Sequence, residues 1–115
     1  MKKLYELEII EEAISWRKLN KKVVLATVIS TWGSSPFEIG TKMIINEDGN
    51  FFGSVSGGCV EANVIEESIE LLKNKHSFKK LEFDVSDENA WDLGLACGGS
   101  LSVYIEKLID ENKNT

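Results

Sequence analysis

The sequence predicts a single α/β domain, with a mixed β-sheet of about five strands and two main helices. Two segments place apolar residues at helical spacing, and five shorter segments are apolar runs or alternate apolar with polar residues. Their order along the chain is helix, strand, hairpin, helix, strand and strand, which is typical of helices packed on a sheet. The length of 115 residues suits one hydrophobic core and not two.

The first helix is predicted over residues 3–19, ending near Asn20. Its apolar residues recur at helical spacing and are expected to cover one face of the sheet; they are Leu4, Leu7, Ile10 and Ile14. The run from Val23 to Ile29 follows and is almost continuously apolar and rich in branched side chains. Such a run predicts a central strand that is buried on both faces.

A hairpin is predicted next, because Asp48-Gly49 separates the short apolar strands 42–46 and 51–55. From Cys59 to Asn74 the pattern is helical again. The apolar face of this second helix is formed by Val60, Val64, Ile65, Ile69 and Leu72.

The remaining elements are shorter. Residues 81–85 alternate apolar with acidic side chains, which predicts a half-exposed strand. Residues 86–89 are typical of the cap of a short helix carrying Trp91. Residues 101–106 alternate again and predict the last strand, and the polar residues 110–115 are expected to fray.

Composition excludes several classes of function. The formal net charge is −6 and the sequence pI about 4.8, which argues against binding nucleic acid or an anionic membrane. No apolar run approaches the roughly 20 residues that a membrane span needs, and the first residues lack the apolar core of a signal peptide. The sequence therefore predicts a cytoplasmic protein whose two cysteines are thiols.

The candidate site combines two segments with the same residue types in opposite order. Gly57-Gly58-Cys59 lies between a predicted strand and a predicted helix, and Cys97-Gly98-Gly99 precedes the last strand. Glycine pairs allow close backbone approach, and successive amides can form a concavity that binds anions. Cys59 is expected in the first turn of its helix, where the dipole favours a thiolate. We predict that both segments build one site.

Other chemistries compete for these residues. Each cysteine alone could be a small buried hydrophobe, and with His76 as the single histidine a closed zinc site is disfavoured. No nucleotide-triphosphate loop or dinucleotide fingerprint is present, although a strand, glycines and a helix start suit a phosphate group. Hydroxyl donors for such a site are available at Ser34, Ser35, Ser54 and Ser56.

The motifs together resemble the XdhC/CoxI family, the accessory proteins of xanthine dehydrogenase and carbon monoxide dehydrogenase. The similarity runs from about Val23 to Glu106. The segments that carry it are Gly33-Ser34-Ser35-Pro36, Gly40 with Met43, Gly53-Ser54-Val55-Ser56-Gly57-Gly58-Cys59-Val60-Glu61 and Trp91-x-Leu93-Gly94-Leu95-x-Cys97-Gly98-Gly99.

The resemblance implies a molybdenum-cofactor chaperone, which binds a molybdopterin-type cofactor and passes it to a molybdenum hydroxylase of the xanthine or CO dehydrogenase type. By motif match, the thiols of Cys59 and Cys97 would lie near the cofactor, with no protein ligand assigned directly to the metal. The other residues implied at the cofactor are Gly57, Gly58, Gly98, Gly99, Ser34, Ser35, Ser56 and Glu61. Implied partners are the hydroxylase client, a cysteine desulfurase, a separately encoded Rossmann-type protein and a second copy of the chain.

Two departures from the family pattern stand out. Phe37 occupies the position after Ser35-Pro36 where the family usually has a basic residue, so a cation that could contact an anion is lost. Many members also carry a C-terminal dinucleotide-binding domain, and residues 1–115 are expected to form a single XdhC/CoxI-like domain without it.

Two other functions compete with the chaperone, which binds and transfers rather than turns over a substrate. A thiol redox protein or thiol-dependent enzyme would use Cys59 and Cys97 as a reversible disulfide or as a nucleophile. A docking module for a larger hydroxylase would use the glycines only for tight packing.

Overall fold

The computed structural model describes residues 2–32, 38–56, 60–84 and 100–108. These residues form two helices and five strands, which confirms the predicted α/β class and element count. In chain order they are α1 (Lys2–Lys18), β1 (Val23–Trp32), β2 (Lys42–Asn46), β3 (Phe51–Gly53), α2 (Glu61–Lys73), β4 (Phe78–Asp84) and β5 (Ser100–Lys107).

The five strands form one sheet in the order β3-β2-β1-β5-β4, so β1 is the central strand, as predicted. All four pairings between the described strands are antiparallel, whereas a mixed sheet also contains a parallel pair. The reason is the path of α2, which carries the chain from β3 at one edge to β4 at the other edge. A helix produces a parallel pair only when it returns the chain to a neighbouring position in the sheet.

Each face of the sheet packs against one helix, because successive side chains of a strand point to opposite faces. On β1, Val24, Ala26 and Val28 point towards α2 and belong to the larger core cluster. Val23 and Leu25 point towards α1 and belong to a smaller cluster with Ile9 and Ala13. The sheet therefore has a large core on its α2 face and a small one on its α1 face.

The face of helix α1 that is buried against the sheet differs from the face that the sequence predicted. Ile9 and Ala13 are buried against the sheet, with Trp16 partly buried beside them. Leu7, Ile10 and Ile14 were expected to be buried, but they are 52%, 52% and 49% exposed. The helix carries two apolar stripes about 100° apart, because adjacent residues of an α-helix differ by that angle. Periodicity alone does not select between them.

The predicted hairpin between β2 and β3 is confirmed. The Asn46 carboxamide oxygen accepts hydrogen bonds from the amides of Asp48 and Asn50, at 2.9 and 3.1 Å, and Gly49 has a φ of +86°. A short polar side chain that bonds the following amides is a frequent way to close such a turn.

Several predicted boundaries shift. Strand β1 continues to Trp32, β3 ends at Gly53 instead of residue 55, and β4 begins at Phe78, three residues before its predicted start. Asn74 ends α2 as predicted, and Asn20, with a φ of +62°, follows α1. The predicted helix cap at 86–89, the short helix with Trp91 and the tail at 110–115 lie outside the described residues.

Candidate functional site

A buried carboxylate ties β3 to the start of α2 across the Gly57-Gly58-Cys59 segment. Oε2 of Glu61 accepts hydrogen bonds from the Ser54 hydroxyl and from the amides of Val55 and Ser56, both at 2.9 Å. Oε1 of Glu61 accepts a hydrogen bond from the Ser56 hydroxyl. The Ser56 hydroxyl oxygen in turn accepts a hydrogen bond from the amide of Val60 at 2.9 Å. We call residues 54–56, Val60 and Glu61 the carboxylate clasp.

The clasp holds Glu61 in its ionised form. The residue is only 8% exposed, and burial by itself raises the pKa of its carboxyl group. Hydrogen bonds from the hydroxyls of Ser54 and Ser56 and from two backbone amides outweigh burial and lower the pKa from 4.5 to about 2. The negative charge of Glu61 is therefore satisfied within the protein at neutral pH.

Helix α2 begins two residues after Cys59, because its N-cap is Val60 and its first helical residue is Glu61. Cys59, which was predicted in the first turn, lies outside the described residues. The clasp explains this start, since the Ser56 hydroxyl binds the Val60 amide and the Glu61 carboxylate turns back to residues 54–56. The first amides of a helix have no acceptor within it, and at the start of α2 the ionised Glu61 carboxylate already supplies a negative charge.

Strand β3 enters the clasp through Gly53, which requires glycine. Its φ is +93°, a conformation that residues with a side chain rarely adopt. A Cβ atom there would lie 2.7 Å from the carbonyl oxygen of Lys42 and 3.0 Å from the Cα of Met43. Close pairing with β2 at this point directs the chain from the end of β3 into residues 54–56.

Of the predicted site residues, the structure describes Ser56 and Glu61. It brings them together in the clasp, where they bond each other. The other predicted residues lie outside the described residues, and so does the prediction that the two cysteine segments meet in one site; they are Cys59, Cys97, Gly57, Gly58, Gly98, Gly99, Ser34 and Ser35.

The sequence did not indicate that Ser54, Ser56 and Glu61 act as one unit. Ser54 was considered only as a hydroxyl donor, and Ser56 and Glu61 were implied as separate contacts to the cofactor. The available signal was a carboxylate at the start of an apolar helical face, five residues after a serine. A carboxylate that is buried at the start of an apolar helical face needs hydrogen-bond donors, such as the nearby serines.

The model of the XdhC and CoxI family matches residues 16–84 of the chain. The chain belongs to this family. The matched region includes β1 to β4, the clasp and the Gly57-Gly58-Cys59 segment, which confirms the resemblance that the sequence motifs indicated.

Individual family members agree with this membership. The chain is 35% identical over 89 residues to the molybdenum cofactor insertion chaperone PaoD of Escherichia coli K12, covering 76% of this chain and 27% of that protein. It is 30% identical over 95 residues to a probable xanthine dehydrogenase subunit of Bacillus subtilis 168, covering 81% of this chain and 28% of that protein.

A solved structure also shares the fold. The crystal structure of a xanthine dehydrogenase from Bacillus halodurans superposes with a TM-score of 0.73 at 29% identity, over 87% of this chain and 30% of that chain. The chain thus spans less than a third of the length of each of these relatives.

Two further features of the described residues are relevant to function. No helix among them is long and apolar enough to cross a membrane. They contain no cluster of three or more histidine, cysteine, aspartate or glutamate side chains able to hold a metal ion, and His76 is exposed.

Proposed function

We propose that this domain binds the molybdenum cofactor and delivers it to a molybdenum hydroxylase of the xanthine or CO dehydrogenase type during maturation of that enzyme. The name of the relative PaoD, a molybdenum cofactor insertion chaperone, supports this proposal, as do the names of two other relatives, which describe a xanthine dehydrogenase or a part of one. In this proposal the domain acts in the cytoplasm as a binding and transfer protein.

The observation that carries the proposal is the carboxylate clasp. It fixes the residues on both sides of Gly57-Gly58-Cys59, so that a three-residue segment is anchored at its two ends. A ligand that bears a phosphate and sulfur atoms is chemically suited to the backbone amides of a glycine pair and to a thiol. The donor types in this segment therefore fit a molybdopterin-type cofactor.

In this proposal some residues contact the cofactor, and others hold the binding segment in position. Gly57, Gly58 and Cys59, together with Cys97, Gly98 and Gly99, would hold the cofactor, with hydroxyl contacts from Ser34 and Ser35. Glu61 and Ser56 were predicted to contact the cofactor, and we now assign them a positioning role. The ionised Glu61 carboxylate would repel an anionic ligand in direct contact, whereas its four hydrogen bonds to residues 54–56 suit it to hold those residues in place.

A binding and transfer assay tests the proposal. The purified chain is incubated with molybdenum cofactor released from a molybdoenzyme, and bound molybdenum and pterin are measured after gel filtration. We expect binding by the chain, restoration of activity when the complex is added to an apo molybdenum hydroxylase, and at least a tenfold weaker binding by Cys59→Ser and by Cys97→Ser.

The outcomes separate the parts of the proposal. Full affinity in both cysteine variants would remove the thiols from the mechanism. Absence of cofactor binding by the folded wild-type chain would overturn the proposed function itself.

A further inference from the structure

A groove runs between α1 and the sheet on the face opposite α2. It has a volume of about 610 Å³, and its walls are Ile10 and Ile14 from the helix and Leu25, Ile44 and Leu108 from the sheet side. Ile10 and Ile14 belong to the apolar stripe of α1 that the fold leaves half exposed. Contiguous apolar surface that is exposed in a groove is typical of an interaction surface.

The charged residues of the groove are all basic. Arg17 and Lys18 line it from the last turn of α1, and Lys42 lines it from β2. Lys42 has an acidic neighbour in Glu6 at 3.9 Å, and the Arg17 side chain donates one hydrogen bond to the Lys21 carbonyl oxygen. A basic border is unexpected on a chain whose formal net charge is −6, and it favours an occupant with acidic side chains.

The same charges disfavour a second copy of this chain as the occupant. A two-fold interface brings the same surface of two copies together. Two such grooves facing each other would place one basic border against another. A partner with apolar residues flanked by acidic ones would contact the apolar walls and would pair its acidic residues with the basic border.

The size of the groove suits one short amphipathic helix. The part of α1 that lines it, from Ile9 to Lys18, rises about 14 Å, which matches two to three turns of a second helix. Helices that dock in this way insert apolar residues at positions i, i+3, i+4 and i+7. The relatives are more than three times longer than the region they share with this chain, so family members carry much additional polypeptide beside this domain.

We propose that the groove between α1 and the sheet docks an acidic amphipathic helix of a partner polypeptide. This inference is independent of cofactor binding, because it depends on the opposite face of the sheet. It assigns the domain two separate surfaces, one for a ligand and one for protein.

Two synthetic helical peptides test this proposal by fluorescence anisotropy with the full chain. Both peptides carry leucine at i, i+3, i+4 and i+7, and the flanking positions are glutamate in one peptide and lysine in the other. We expect the glutamate peptide to bind at least tenfold more tightly than the lysine peptide. The variants Ile14→Glu and Ile10→Glu should each weaken its binding at least tenfold.

Phe51→Glu is the matched control, because Phe51 is 51% exposed and lies outside the groove, so its variant should bind like the wild type. Circular dichroism verifies that each variant is folded. Equal affinity for the two peptides, no binding of the glutamate peptide, or wild-type affinity in both isoleucine variants would overturn the proposal. A concentration-dependent dimer that Ile14→Glu dissociates would also overturn it, in favour of a second copy.

Discussion

The two helices cover the two faces of one sheet, but they do so to different extents. Helix α2 packs Val64 and Leu71 into a core cluster that extends across all the central strands. Helix α1 contributes Ile9 and Ala13 to a small cluster and leaves a second apolar stripe outside it. The difference indicates that the α2 face is built for a fixed geometry, whereas the α1 face keeps apolar surface available.

The polar groups of the two faces follow the same division. On the α2 side the buried carboxylate of Glu61, which follows the glycine-cysteine segment, accepts hydrogen bonds from Val55 and Ser56, which precede it. On the α1 side the charges of Arg17, Lys18 and Lys42 line the open groove. Buried, satisfied polar groups fix a structure, while charges at the border of an apolar groove select a partner.

The largest expected effect is at Gly53, where the chain leaves the β2–β3 pairing and enters the clasp. Gly53→Ala should lower the free energy of unfolding by more than about 3 kcal/mol, because a positive φ is combined with a contact between Cβ and the backbone of β2. Urea unfolding measures the loss.

Gly40→Ala is the control for this change. Gly40 has a φ of +95°, but a Cβ atom there would meet no atom within 4 Å. Its variant should lose only the backbone contribution of about 1–2 kcal/mol. Equal losses in both variants would show that close approach to β2 is irrelevant.

The next effect concerns the clasp and depends on pH. Because the pKa of Glu61 is lowered from 4.5 to about 2 in the folded state, its stabilisation is fully present above about pH 5 and disappears as the pH falls towards 2. The shift corresponds to about 3 kcal/mol. Glu61→Gln should therefore be less stable than the wild type by up to about that amount at pH 7, and by progressively less below pH 4.5.

Urea unfolding of both proteins from pH 7 to pH 2.5 measures this difference. A stability difference between wild type and Glu61→Gln that stays constant over the range would contradict the assignment of an ionised, hydrogen-bonded carboxylate.

The smallest effect has the opposite sign. Ser68 lies in α2 and is fully buried, and its hydroxyl has no hydrogen-bond partner among the described residues. Ser68→Ala should raise the free energy of unfolding by about 1 kcal/mol, because it removes an unpaired buried polar group and improves helix propensity. Thermal unfolding at pH 7 measures the gain, and a loss of stability would show that the hydroxyl is bonded.

The sequence predicted the α2 face of the sheet better than the α1 face. The central position of β1 could be predicted, because a continuous run of branched apolar residues allows one arrangement. The inner face of α2 could be predicted only in part. Val60 and Val64 are buried as expected, whereas Ile69 is only half-buried. Ser68 and Leu71 are buried although the predicted stripe did not include them.

The orientation of α1 could not be predicted, because Ile9 with Ala13 and Ile10 with Ile14 both have helical spacing. Tertiary packing against the sheet determines which of the two stripes is buried, and local periodicity carries no information about that packing.

The candidate site shows a similar limit. The sequence indicated the segment around Gly57-Gly58-Cys59 and the residues Ser56 and Glu61. It did not indicate that Ser56 and Glu61 bond each other, since a carboxylate at a helix start is more often exposed. Hydrogen bonding across five residues depends on the turn at Gly53 and on where α2 begins, which are properties of the folded chain.

The most direct test compares one variant on each side of the sheet in both binding assays. Cys59→Ser should bind molybdenum cofactor at least tenfold more weakly and the glutamate peptide normally, whereas Ile14→Glu should show the reverse. This result would confirm a cofactor surface next to α2 and a protein surface next to α1. Loss of cofactor binding in Ile14→Glu with full binding in Cys59→Ser would contradict that division.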